Sequence, residues 1–342
     1  MAVRSVDAEI RVVSVAKATE TTRIYPGDVS RTLLSIVSRR EGHRLLGDLT
    51  LIFAGGGLEA APPQACWPRK LPCEGCTGDA DGYAGRMRVA VLSDVHGNLP
   101  ALDAVLTDVW QAGPDLIVLN GDLADGPMPA QTLGRLAELG DRAVWVRGHA
   151  DRRLVDAFDG NFMIPGLDTD PSADWFEWCA ARLNHGYRDL LAGLPPLVTL
   201  DVDGLGPVAF CHATARDDGE YILVDSPIAH YRGAFAGVAE PTVVVGHTHM
   251  PFDRLAAGRR VINAGSVGLQ YGHQGASWAM LGPDITLRRT RYDAATAAAV
   301  LRSAARDLPG IEGFTGNVRA PASDEEALKA FTVSVRLQTR ER

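Results

Sequence analysis

Five times along this chain an apolar run stops at a residue able to hold a metal ion. Arg88 to Leu92 leads into Asp94-Val95-His96, Leu116 to Leu119 into Gly121-Asp122, and Ala143 to Val146 into Gly148-His149-Ala150-Asp151. Later, Val208 to Cys211 leads into His212, and Val243 to Val245 into Gly246-His247-Thr248-His249. Short uninterrupted apolar runs suit strands covered on both faces. A sheet carries strand ends to a common edge, so these loops would gather in one place, where open α/β sheets build their sites. His247 and His249 lie two apart and, on an extended strand end, aim the same way.

Between these runs the period becomes helical. Leu102, Val105, Leu106 and Val109 share one helical face, with Asn98 and Pro100 suited to its first turn. A second helical stretch lies near Thr132 to Leu139, and Trp175 to Leu191 predicts one helix ending before Pro195-Pro196. Leu197 to Val202 and Val208 to Cys211 flank Asp203-Gly204, a hairpin signal. Arg260 to Ile262, Trp278 to Leu281 and Ile285 to Arg291 are further strands, the last pair turning at Gly282-Pro283-Asp284. Late strands without helices between them predict an α/β (α+β) fold with a mixed sheet, or two packed mixed β-sheets, flanked by helices.

Three segments follow from this pattern. Residues 1–86 read as a poorly structured N-terminal extension, with a short strand at Val12 to Val15, a short helix at Val29 to Arg39 and a Gly/Pro-rich linker from Gly55 to Arg86. Residues 87–292 form the main domain. Residues 293–342 form a C-terminal helical tail: an Ala-rich helix from Asp293, a Gly/Pro loop, and a capped stretch from Ser323 to Ala330.

The formal net charge of -8 argues against strong nucleic-acid binding or attachment to an acidic membrane, which need a basic field. No apolar run reaches a membrane span, and Asp7, Glu9 and Arg11 interrupt any signal-like start, so a cytoplasmic setting is expected. Cys73 and Cys76, with Cys66 nearby, lack a fourth local ligand for a zinc knuckle. Cys211 reads as inert packing on a buried strand. Nothing in the pattern specifies an oligomeric state.

Carboxylate and imidazole donors suit manganese first, with iron, zinc, nickel or cobalt as alternatives, rather than a thiolate-bound metal. A carboxylate such as Asp122 can bridge two divalent ions at about 3.5–4 Å, the spacing at which a water between them loses a proton near neutral pH and attacks phosphorus in line. The glycines before Asp122, His149 and His247 predict close approach of backbone to the ions.

The order D-x-H, G-D, G-x-x-D, H, G-H-x-H resembles the calcineurin-like metallophosphoesterase superfamily. Ser93-Asp94-Val95-His96-Gly97-Asn98 and Asn263-Ala264-Gly265-Ser266-Val267-Gly268 are similar to its small bacterial YfcE-like phosphodiesterase branch. The likeness spans Arg88 to about Tyr292. It implies a four-layer sandwich and two divalent ions, one held by Asp94, His96 and His249, the other by His212 and His247, with Asp122 bridging. It also implies a small phosphate-ester or nucleotide substrate. In the family a loop Asn completes the second site. Here His149 stands in its place, as a metal-ligand and catalytic candidate, and Ala150 replaces a residue that is histidine in many members.

Four assignments remain open between function and structure. Asp151 could orient an imidazole at the catalytic centre or cap a helix before Arg152. Asn98 could touch phosphate, though capping accounts for it. Arg216 could clamp a phosphate oxygen or pair with Asp217 or Asp218. His149 and Ala150 could mark a catalytically impaired relative acting as a metal- or nucleotide-binding regulatory module. A nuclease is disfavoured by the acidic balance.

Overall fold

The computed structural model describes residues 87–161 and 172–341, together with the strands 35–40 and 43–48. The first pair, β1 (Ser35–Arg40) and β2 (His43–Asp48), is an antiparallel hairpin with Ser35 opposite Asp48. This corrects the helix expected over Val29 to Arg39. Ile36 and Val37 are β-branched, and a pairing partner two residues downstream favours the extended form. The expected strand at Val12 to Val15, the linker from Gly55 to Arg86, and Cys66, Cys73 and Cys76 lie outside the described residues.

From Val89 onward the chain builds two five-stranded mixed sheets. The first contains β3 (Val89–Leu92), β4 (Leu116–Asn120) and β5 (Ala143–Val146) in parallel; β11 (Ala276–Leu281) joins β3 antiparallel and β12 (Ile285–Thr290) joins β11 antiparallel. The second runs β6 (Leu197–Val202), β7 (Gly206–Cys211), β8 (Thr242–Val245), β10 (Arg259–Asn263), β9 (Phe252–Ala256), with β7, β8 and β10 parallel.

The two-residue period of each strand assigns its side chains to layers. Val89 and Val91 of β3 and Leu116 and Val118 of β4 meet Val208 and Phe210 of β7, Val244 of β8 and Ile262 of β10, forming the core between the sheets. The alternate residues Ala90, Leu92, Ile117 and Leu119 face a helical layer instead. There α1 (Leu99–Ala112) supplies Leu102, Val105, Leu106 and Val109, and α2 (Pro129–Ala137) supplies Leu133 and Leu136. On the far side of the second sheet, Ala209, Cys211, Val243, Val245 and Val261 pack on Tyr231 and Ala234 of α6 (Ile228–Ala234). Helix, sheet, sheet, helix is thus written in the alternation of single strands.

The helix predicted over Trp175 to Leu191 is instead two, α4 (Ala173–Ala180) and α5 (His185–Ala192). Asn184 separates them: its side chain accepts the Tyr187 amide at 2.9 Å and starts α5 as an N-cap. Past β12 come α7 (Ala294–Ala304), α8 (Ile311–Arg319) and α9 (Asp324–Glu341). Helix α8 occupies the stretch expected to be a loop, because Phe314 and Val318 pack against α7 while Ile311 joins the main core. Helix α9 begins with the expected capping box, Ser323 Oγ donating to Glu326 at 2.8 Å and accepting the Glu326 amide at 3.2 Å.

Candidate metal centre

Each metal-ligand segment leaves the C-terminal end of its strand: Asp94 and His96 after β3, Asp122 after β4, His149 after β5, His212 after β7, His247 and His249 after β8. The first three strands belong to one sheet and the last two to the other, so the site forms where the two sheets share an edge. Backbone amides stitch the loops together. Asp94 N donates to Gly121 O at 2.9 Å and His96 N to Asp122 O at 3.0 Å. Across the sheets, His247 N donates to both Asp94 oxygens at 3.1 Å. The Asn263-to-Gly268 motif closes the ring: Asn263 Nδ2 donates to Gly246 O at 2.6 Å, and Ser266 Oγ donates to Asp94 O at 2.8 Å.

Close approach explains the glycines, though the surface approached is protein. A Cβ on Gly148 would lie 2.2 Å from Asp122 N, and one on Gly246 would lie 2.0 Å from Ser93 Oγ. Five ligand candidates themselves sit in the left-handed region, with φ of 57° at Asp94, 47° at His96, 54° at Asp122, 64° at His247 and 58° at His249. Each such non-glycine residue costs on the order of 1–3 kcal/mol, and the stitching hydrogen bonds hold them there.

The result is two groups of ligand atoms: Asp94, His96 and His249, and Asp122, His212 and His247, the atoms of each lying within 4.8 Å of one another. His249 Nε2 lies 3.2 Å from Asp94 Oδ1; His212 Nε2 lies 3.1 Å from Asp122 Oδ2 and 3.8 Å from Asp94 Oδ1. Asp94 therefore stands between the groups. Two features fit a metal pair. His96 Nε2 and His249 Nε2 converge to 2.9 Å, and the buried His212 Nε2 faces the carboxylates of both Asp122 and Asp94.

Protein oxygens face the far nitrogen of three ligand histidines, while the buried His249 Nδ1 has no hydrogen-bond partner among the described residues. His96 Nδ1 lies 2.9 Å from Asp125 Oδ1, and His212 Nδ1 donates to Asn120 O at 2.8 Å, so both present Nε2 to the site. Asp125 was not visible in the sequence reading. Its signal is its place three residues after Asp122 in the same loop, which only the fold brings under His96. His247 Nε2 lies 3.2 Å from Gly219 O, which leaves Nδ1 as its ligand atom.

Charges in this space are strongly coupled. Burial works against His96, yet Asp125 and then Asp122 push it up to about 9. Burial likewise opposes the charge of His212, but Asp122 and Asp94 push it up to about 10. Burial, with His212 beside it, takes His247 down to about 3. Asp122 is desolvated, yet His212 and His96 hold it well below the usual carboxylate range. Protons and cations therefore compete: His96 and His212 carry protons at neutral pH that a metal must displace. Affinity for a divalent ion is expected to rise with pH, by roughly tenfold per unit for each proton released, until pH passes about 9 to 10. Calorimetric titration with manganese in buffers of different ionisation enthalpy measures this; affinity independent of pH, with no proton release, would contradict it.

The four residues with open assignments fall outside the two groups. His149 begins α3 (His149–Phe158) beside the site, its ring 5.7 Å from that of His247. Its Nδ1 lies 3.3 Å from an Arg152 nitrogen and 3.6 Å from Asp218 Oδ1. Asp151 takes the capping place at the start of α3. It is fully buried, and its oxygens accept the amides of Asp122 at 3.0 Å, Leu123 at 3.0 Å and Gly148 at 2.9 Å, so it holds loops and does not face the ligand groups. Burial and the charge of Asp122 push it up to about 7. Asn98 is consumed by structure: it accepts the Ala101 amide at 3.2 Å as the cap of α1 and donates to Gly268 O at 2.9 Å. Arg216 Nε donates to Glu220 at 2.8 Å. Cys211 is fully buried, its thiol pushed up to about 12 by burial, in keeping with inert packing.

Residues 87–284 match the model of the calcineurin-like phosphoesterase superfamily domain. The chain belongs to that superfamily. Within the calcineurin-like group, it is 26% identical over 212 residues to phosphodiesterase YfcE of Escherichia coli, covering 58% of this chain and 89% of that protein. Over 125 residues it is 31% identical to a symmetrical bis(5'-nucleosyl)-tetraphosphatase of Thioalkalivibrio sulfidiphilus, 32% of this chain and 46% of that one. A crystal structure of a metallophosphoesterase from Sphaerobacter thermophilus superposes with a TM-score of 0.54 at 28% identity, covering 69% of this chain and all of the other. Membership in this superfamily indicates a phosphoesterase hydrolase and implies divalent metal ions. No helix among the described residues is long and apolar enough to cross a membrane.

Proposed function

We propose that this chain is a di-metal phosphodiesterase acting on small phosphate diesters, nucleotide esters among them, with manganese as the working ion. The observation that carries the reading is the pair of ligand groups with Asp94 between them. A bound pair of divalent ions would supply Lewis acidity and an ionised water. The chain's own residues do the rest. Asp94, His96 and His249 would hold one ion, Asp122, His212 and His247 the other, and Asp125, Asn120 and Gly219 fix the imidazole orientations. Closure of the site, with Asp94 fully buried and His96 7% exposed, keeps bulk water from screening these charges. The preference for diesters follows YfcE, and nucleotide esters follow the tetraphosphatase.

The loop after β5 sets the reaction's weakness. Ala150 is buried and offers only its amide, which donates to Asp122 Oδ1 at 2.7 Å. The Ala150 side chain brings no proton donor for the departing oxygen, and general acids contribute about a hundredfold or more. Rates with manganese are therefore expected to climb steeply as the leaving-group pKa falls, alkyl esters lagging aryl esters by about a hundredfold. A flat leaving-group series, measured in single turnover, would contradict this.

His149→Asn separates the two standings of this relative. If His149, held by Arg152 and Asp218, is a working member of the site, the variant loses rate. If His149 impairs the site, the variant gains manganese affinity and rate together. Absence of hydrolysis by both forms with any divalent ion would overturn the enzyme reading and favour a binding module.

A further inference from the structure

Helix α9 lies beyond the residues matched to the superfamily model, yet its side chains reach the tyrosines that stack on the ligand histidines. Tyr221 stacks on His247 with ring centroids 4.6 Å apart and 27° between planes; Tyr271 stacks on His249 at 5.8 Å and 23°. Phe331 of α9 touches both tyrosines, at 5.3 Å from Tyr221 and edge-on at 5.6 Å from Tyr271. About two turns further along, Gln338 Nε2 donates to Gly219 O at 2.7 Å, the same carbonyl that faces His247, while its oxygen accepts the Tyr221 amide at 3.2 Å. His247 and His249 are 9% and 8% exposed, and the Tyr221 and Tyr271 rings lie against them.

We infer that α9 completes the substrate pocket: Phe331, bridging Tyr221 and Tyr271 over the ligand histidines, selects esters whose retained group is a flat aromatic ring, and Gln338 holds the loop that carries Tyr221. The inference rests on the phosphoesterase reading above. An ester whose phosphorus reaches the ligand groups must lay its remaining substituent against these three rings. Offset or edge-on stacking rewards an aryl or nucleobase group there. A small alkyl group leaves the ring faces without a partner.

The test compares two diesters with the same departing group, phenyl 4-nitrophenyl phosphate and ethyl 4-nitrophenyl phosphate, on the full chain loaded with manganese. Wild type is expected to favour the phenyl ester in kcat/KM by on the order of tenfold, mainly through KM. Phe331→Leu, which keeps apolar bulk without a ring, and Tyr271→Leu are each expected to bring that ratio towards one. A ratio near one in wild type, or a ratio unchanged in both variants, overturns the inference. So does an equal gain for both esters, which would make α9 a plain obstruction.

The same comparison is read without turnover by calorimetric binding of phenylphosphonate against methylphosphonate to the metal-loaded chain. Should no diester be hydrolysed at all, a phenyl preference lost in Phe331→Leu still supports the aromatic wall, and equal binding of the two phosphonates still overturns it. Failure of the wall and failure of the enzyme reading thus give different results.

Discussion

Asp122→Asn is expected to reduce kcat by on the order of a thousandfold and to leave the second ion poorly held. The reason lies in how the carboxylate is used at both ends. Its Oδ1 accepts the buried Ala150 amide at 2.7 Å, and its Oδ2 lies 3.1 Å from His212 Nε2. An asparagine must keep its oxygen on the Ala150 N–H, since an orphaned buried amide costs about 1–3 kcal/mol. Its NH₂ group then faces His212 and the space where a cation would sit. A negative ligand has become a donor at the same place. Losing one ion removes several kcal/mol of charge stabilisation, which corresponds to roughly a thousandfold in rate. Manganese binding by calorimetry and kcat on an aryl diester should fall together; a variant with wild-type rate would remove Asp122 from the site.

Asp151→Ala should be the most destabilising single change near the site, without touching a ligand. Three buried amides, those of Asp122, Leu123 and Gly148, lose their acceptor, at about 1–3 kcal/mol each when left unpaired. Allowing for partial rescue by water, a loss of about 3 kcal/mol and a fall in Tm of roughly 10 °C are expected. Asp151→Asn, with one acceptor oxygen instead of two, should lie between. Because these amides position Asp122 and the start of α3, manganese affinity should drop in step with stability. A Tm within a degree of wild type would show that the loops hold without Asp151.

The strand-end pattern was readable because the chemistry and the geometry share one period. An apolar strand buried on both faces has to end at a loop, and a loop at the sheet edge is where Asp94, Asp122, His212 and His247 appear. Helix α1 was legible for a similar local reason, since Asn98 and Pro100 start it and one apolar stripe runs along it. What escaped were features decided by contacts distant in sequence. Asp125 has no periodic signature and acquires its role only when the β4 loop folds under His96. The break between α4 and α5 turns on the single side chain of Asn184. Strand β9 and helix α6 are short and partly polar, and tertiary packing against β10 and β8 decides them. The docking of Phe331 and Gln338 beside the ligand histidines spans more than a hundred residues of chain (|i−j| of 117 between Tyr221 and Gln338), which no local pattern can express.

Asp151 shows the converse. A carboxylate in a ligand-rich loop reads as chemistry, yet burial with three amide donors makes it architecture. The difference between Asp122 and Asp151 is one of direction: both sit in the same tight knot of loops, and only one turns an oxygen towards the imidazoles.

Anomalous diffraction from crystals soaked in manganese tests the account at its root. Two peaks are predicted, one among Asp94, His96 and His249 and the other among Asp122, His212 and His247. Crystals with no anomalous density there, or with manganese bound only elsewhere on the chain, would contradict it.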